Sequence, residues 1–205
     1  MQAHILVHPF VPPNIRTEDQ PMYVDGSVPK PPQLVLNACL NSPATEVYGR
    51  ALIEDTLAHY PEVDGLFTDW AEYGAYRLED HFTCFCPNCA QKADKQGFDW
   101  DIIERDVRAL WTWFHSLSPK DLERSRRALR SPSEVLELLT HHPGWLLFLR
   151  FKTNTVLGFY RKTRQLLDSL GHEEVGLSAR GWPPPWNRSS GMDYRVLSEV
   201  CTAVT

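Results

Sequence analysis

Apolar residues along the chain fall into two kinds of run, and the two kinds alternate. Short unbroken runs read as strands; long runs with helical spacing read as helices. Residues 4–8 (His-Ile-Leu-Val-His) form a short apolar run that Pro9 ends, as a buried strand would. Residues 63–70 follow a turn-like Pro61-Glu62 and are apolar nearly throughout, which suits a parallel strand covered on both faces. Two further short extended segments fall at 33–37 and 174–179. Helical patterns occupy 100–116, 120–130, 134–140 and 145–170, with Gly171 as the stop after the last. Ser42-Pro43 reads as an N-cap followed by proline at the first helical position. The helix it opens carries Val47, Ala51, Leu52, Leu57 and His59 and stops before Pro61. A last helix is expected over 193–200, and residues 12–32, rich in Pro, Asp and Gly, read as a long surface loop.

Strands alternating with helices, each strand opening into a long loop, point to an α/β fold with a parallel sheet. The expectation is a single domain over 1–205, a partial (β/α)8 TIM barrel of three to four βα units. Its parts would be a loop at 11–33, a metal-binding loop at 74–95 and a helical excursion over 99–170. A complete barrel takes about 250 residues, and an open half-barrel leaves parallel edge strands uncovered. The chain is therefore expected to be a fragment of a longer one, its partner being the missing remainder of the barrel or a second copy.

Composition narrows the class. With 42% hydrophobic residues and seven Trp, the chain has enough apolar surface for one buried core. A formal charge of −5 excludes general nucleic-acid affinity, which needs a basic surface. No apolar run approaches the roughly 20 residues of a membrane-spanning helix. The N-terminus lacks a basic region and a cleavage site. Five cysteines, an odd number with one tight cluster, fit metal binding in a reducing compartment better than a disulfide framework, so a cytoplasmic location is expected.

That cluster is Cys84-Phe85-Cys86-Pro87-Asn88-Cys89, three thiols within six residues. They are too close to staple distant parts of a fold, but they can converge on one ion. Zn²⁺ takes thiolates in tetrahedral sets of four, and Cys39 is the best candidate for the fourth. A closed four-thiolate set has no open position for water, so the zinc would be structural. Cys201 reads as an ordinary buried cysteine.

The strand at 63–70 ends in Asp69-Trp70-Ala71-Glu72-Tyr73-Gly74. Ligands of parallel α/β sheets bind at the carboxyl ends of strands, and glycosidases work with two carboxyl groups. Asp69 and Glu72 are thus the candidate catalytic residues, one of them acting with a partner from another strand. Trp70 and Tyr73 beside them are candidate substrate contacts. Arg180, Trp182 and Trp186 form a possible sugar-stacking platform in the loop after the strand at 174–179, and His8 could reach the same pocket from the first strand. The competing roles are plain packing for the tryptophans and a structural histidine.

In order along the chain stand Cys39-Leu40-Asn41-Ser42-Pro43, a helix, a strand ending in Glu72-Tyr73-Gly74, and the C-x-C-x-x-C loop. This resembles the family-42 glycoside hydrolases, the clan-A β-galactosidases, over about residues 33–95. The resemblance implies Cys39, Cys84, Cys86 and Cys89 as zinc ligands and Glu72 as the acid/base. It also implies departures: Ala71 stands where the family has the asparagine that holds the sugar's 2-hydroxyl, the loop between Glu72 and Cys84 is long, and the family's strand-seven nucleophile has no counterpart in this chain. The functional expectation is general acid catalysis on a glycosidic bond, with this fragment inactive by itself. Two alternatives stand beside it: a non-catalytic carbohydrate-binding or scaffold barrel that keeps the zinc, and a redox or zinc-dependent regulatory protein.

Overall fold

The computed structural model describes residues 2–29, 38–128 and 132–204. The extended segment expected at 33–37 lies outside them. Among the described residues, β1 (His4–Val7), β2 (Gly65–Thr68), β3 (Gly176–Ala179) and β4 (Ala203–Val204) form one parallel sheet in that order. Ile5 lies opposite Leu66, and Leu66 opposite Leu177. β1 pairs directly with β2, so nothing intervenes between them in the sheet.

Each step between neighbouring strands passes through helix. α1 (Pro43–His59) links β1 to β2. Between β2 and β3 come α2 (Pro87–Lys95), α3 (Trp100–Ser116), α4 (Pro119–Ala128), α5 (Pro132–His141) and α6 (Pro143–Ser169). Short helices α7 (Trp186–Ser190) and α8 (Tyr194–Leu197) precede β4. Prolines open α1, α2, α4, α5 and α6, where a missing N–H leaves no bond unmade.

Burial separates the strands. In β2, Gly65, Leu66 and Thr68 are buried, as expected of a strand covered on both faces. In β1 only Val7 is buried, and Leu6 is 47% exposed. The first run is therefore an edge strand rather than a buried one, because only β2 pairs with it among the described residues. α8 is shorter than the helix expected at 193–200, and the chain then turns at Cys201 into β4, a two-residue strand too short for any periodicity to reveal. The loop expected over 74–95 likewise contains α2, whose inward face is carried by Cys89 and Ala93, one helical turn apart.

The core rests on α6. Phe148, Phe151, Thr155, Val156, Tyr160, Thr163 and Leu167 recur at helical spacing and are all buried. Tyr160 anchors this stripe to the sheet, accepting a hydrogen bond from Thr68 Oγ1 at 2.7 Å. α3 packs beside it through Ile103 and Val107, and Asp106 Oδ2 accepts from the Gly144 amide at 2.7 Å. That bond satisfies one of the donors left open at the start of α6. On α1 the buried face is Thr45, Gly49, Ile53, Thr56 and Leu57, while Val47 is 68% exposed. Gly49 sets the approach, since a Cβ there would lie 2.9 Å from the Pro9 carbonyl oxygen. No helix among the described residues is long and apolar enough to cross a membrane.

Candidate metal centre and buried carboxylate

The four predicted cysteines meet. Cys39 arrives from the loop before α1, Cys84 and Cys86 from the segment after a 3-10 turn at Glu79–Phe82, and Cys89 from the start of α2. All four are buried and free, and their Sγ atoms lie within 4.8 Å of one another. Cys39 Sγ is 3.3 Å from Cys86 Sγ and 3.6 Å from Cys89 Sγ. Disulfide sulfurs sit about 2 Å apart, whereas thiolates around a tetrahedral ion with bonds of about 2.3 Å sit nearly 4 Å apart. The spacing therefore suits a shared ion.

The surroundings suit thiolates. The Met22 and Asn41 amides point at Cys84 Sγ and Cys39 Sγ, each at 3.4 Å, and Asn41 Nδ2 points at Cys89 Sγ at 3.3 Å. Such N–H donors stabilise negative sulfur. The thiols of Cys39, Cys84 and Cys89 hydrogen-bond Cys86 and hold it far below its ordinary range, while burial pushes Cys89 up. An all-sulfur donor set selects a thiophilic metal, zinc or iron. The long loop after β1 buttresses this centre. Asp19 accepts from the Cys39 amide through its carbonyl at 2.6 Å and from the Ser42 hydroxyl through its carboxylate.

Glu72 follows β2. Trp70, at φ +57, occupies the left-handed region uncommon for residues other than glycine, and the two residues after it, Ala71 and Glu72, are buried at 0% and 3% exposure. Ser190 Oγ donates to Glu72 Oε2 at 2.5 Å, and the Trp182 amide donates to the same carboxylate. Burial outweighs both donors and pushes the Glu72 carboxyl up to about 8, with the nearby Asp69 adding to the rise. Glu72 is therefore mostly protonated at neutral pH, as a general acid must be. The space it borders is about 30 Å³, the room of a single water.

The other predicted residues divide into groups. Asp69 Oδ1 accepts from the Trp70 amide at 3.1 Å, and Arg180 approaches Asp69 Oδ2 at 3.8 Å. His8 stacks on Trp70, ring centroids 5.0 Å apart. Trp182 packs edge-on against Tyr76 at 4.8 Å, whereas Trp186 stacks on His81 at 5.4 Å and is 45% exposed. Tyr73 is buried with its hydroxyl accepting from Asn41 Nδ2 at 3.1 Å, so its ring joins Glu72's segment to the cysteines.

No protein-family model and no curated protein sequence matches this chain. Solved structures do. A polyextremophilic β-galactosidase from the Antarctic haloarchaeon Halorubrum lacusprofundi aligns over 100% of the chain at 22% identity with a TM-score of 0.61. The chain has the fold of a part of that enzyme. It spans 30% of the enzyme's length. A β-galactosidase from Bacillus circulans sp. alkalophilus aligns over 91% of this chain and 26% of its own, at 18% identity and a TM-score of 0.49.

Three residues of the site escaped sequence reading. Ser190 lies 118 positions from Glu72, and nothing local marks it. Asn41 stands next to the cysteine motif but was not read as a sulfur ligand's partner. Lys152 did leave a signal, being a lone cation on the apolar face of α6 between Phe148 and Val156. It is fully buried, donating to the His81 carbonyl at 2.7 Å and the Ser189 carbonyl at 3.0 Å. A larger cavity of about 360 Å³ lies between α1 and α6, lined among others by Phe10, Thr45, Lys92 and Phe159, and does not include Glu72.

Proposed function

We propose that the chain is part of a glycoside hydrolase barrel of β-galactosidase type, with a structural zinc on Cys39, Cys84, Cys86 and Cys89 and Glu72 as the proton donor. The observation that carries this reading is the buried Glu72 carboxyl just past the carboxyl end of β2, held by Ser190 and Trp182 from the loop and helix after β3. Asp69 tunes it and pairs with Arg180. The likeness in fold to a haloarchaeal β-galactosidase supports the reading, as does the half-exposed β1, an edge that a further strand would cover. In a barrel completed by further βα units, the nucleophilic carboxylate comes from a facing strand. A metal held by Cys39, Cys84, Cys86 and Cys89 would clasp the loops after β1 and β2, with a closed four-thiolate set that offers no open position to the sugar.

Full-length protein encoded by the surrounding reading frame should hydrolyse an aryl β-galactoside, and Glu72→Gln should lower that rate by about 10²- to 10⁴-fold. A full-length protein whose activity survives that substitution would rule Glu72 out as the acid. A second reading, a carbohydrate-binding or scaffold barrel without chemistry, is favoured by Ala71. It occupies the position of the family's sugar-binding asparagine and is 0% exposed, with no polar group to offer. Galactoside binding without turnover by the full-length protein selects it.

A further inference from the structure

A fully buried lysine needs a reason. Lys152 has no carboxylate within ion-pair distance among the described residues. Its Nζ is held by two carbonyl oxygens and faces the Tyr73 and Phe148 rings, at 5.1 and 4.5 Å from their centroids. Burial pushes the Lys152 ammonium down to about 7, opposed by the neighbouring Cys84, Cys89 and Asp80, and Asp80 is already engaged by the Tyr23 hydroxyl at 3.0 Å and the Arg77 amide at 2.9 Å. An ammonium shut away from water is strongly destabilising without a counter-charge. Four thiolates around one divalent ion make a dianion, and the Lys152 ammonium offsets one of its two negative charges.

The same side chain holds α7. Ser189, Ser190 and Gly191 are consecutive, and each is fixed by contacts of its own. The Ser189 carbonyl accepts from Lys152 Nζ at 3.0 Å. Ser190 donates its hydroxyl to Glu72 at 2.5 Å and accepts from the Tyr73 amide at 2.9 Å through its carbonyl. Gly191, at φ +92, lies against the backbone of Lys152 itself, where a Cβ would come within 2.8 Å of the carbonyl oxygen. Only glycine fits that conformation and that gap. Lys152 thus joins the His81 carbonyl, in the turn that leads into Cys84, to the Ser189 carbonyl, whose neighbour Ser190 holds Glu72.

We propose that Lys152 is a positioning residue that partly neutralises the metal-loaded cysteine centre and, through the Ser189 carbonyl, keeps Ser190 on Glu72, so that metal occupancy controls the placement of the acid. This rests on the reading that the four cysteines hold a divalent metal. Lys152 touches neither substrate nor metal; it transmits the state of one site to the other.

Zinc affinity by chelator competition, and amide hydrogen exchange at Tyr73, measure the two halves of the proposal on the 205-residue chain. Lys152→Met keeps the volume and removes the charge. It should weaken zinc by about 10- to 100-fold, the range for partners just outside a metal's own ligands. At saturating zinc it should also speed exchange of the Tyr73 amide by at least about tenfold, as loss of one hydrogen bond to a charged group allows. Lys152→Arg, which keeps the charge, should recover most of the zinc affinity. Stripping zinc from the wild-type chain should speed Tyr73 exchange in the same way, a measurement that needs no variant should Lys152→Met fail to fold. Unchanged zinc affinity in Lys152→Met overturns the charge-balancing role. Unchanged Tyr73 exchange on zinc removal from the wild type overturns the coupling. A wild-type chain that takes up no zinc overturns the metal reading itself, a result distinct from either.

Discussion

Replacing Glu72 by glutamine should make the protein more stable in alkali than its parent. The Glu72 carboxyl rises from an ordinary value of 4.5 to about 8 because burial disfavours its charged form. Unfolding returns it to water and to the lower value. Between those two values the folded state binds one proton more than the unfolded state, so stability falls with rising pH by about 1.4 kcal/mol per pH unit. The contribution is fully present below the unfolded value and is lost as pH rises through the folded one. A shift of that size corresponds to stability loss on the order of 5 kcal/mol across the window. Glutamine has no proton to lose. Urea unfolding of both proteins at constant zinc, from pH 4 to pH 9, gives a difference curve in which other titrations cancel. That curve should be flat below about pH 4.5, climb in favour of Glu72→Gln up to about pH 8 and level off. Parallel profiles over the whole range would refute the assignment of a buried, proton-holding Glu72.

The remaining expectations follow from single contacts. Ser190→Ala removes a donor that favours the charged carboxylate, so the same difference titration should place the Glu72 midpoint higher still, by about one pH unit for a charge-assisted bond; a midpoint that stays or falls contradicts the bond. Cys39→Ser should take zinc from about one per chain to a small fraction of that and lower the melting temperature, because a four-thiolate site stabilises only the folded chain; metal analysis showing full retention removes Cys39 from the ligand set. Asp106→Ala leaves the Gly144 amide without its acceptor at the start of α6 and should lower stability in urea by about 1–3 kcal/mol. A loss within error of zero would mean that water replaces the carboxylate.

Much of the architecture was readable from spacing alone. The run at 63–70 contains β2, and the stripe of α6 was visible as an apolar face from Trp145 onward. Proline after a capping serine marked the start of α1, where Ser42 Oγ accepts from the Thr45 amide. Burial was less readable. Residues 4–8 look as apolar as a buried strand, yet β1 is an edge with Leu6 half exposed, because strand order in the sheet, not composition, decides which faces are covered. Val47 on α1 fails for the same reason: its spacing fits a helix, but the core lies on the side of Gly49 and Ile53.

The site divides along the same line. The chain's own sequence determined that four thiols would share a centre, because three fall within six residues and thiolate chemistry calls for a fourth. It also determined that a carboxylate would end the strongest strand. Tertiary structure alone decided that this carboxylate would be buried and hold its proton. Desolvation depends on what covers a group, and the segment whose Trp182 and Ser190 reach this carboxylate lies more than a hundred residues downstream. It alone also set Lys152 between the cysteines and α7. A lysine on an apolar face is only an anomaly in sequence; the carbonyls, rings and thiols that make it tolerable meet in space, where the low dielectric of the core turns their charges into the strongest forces present.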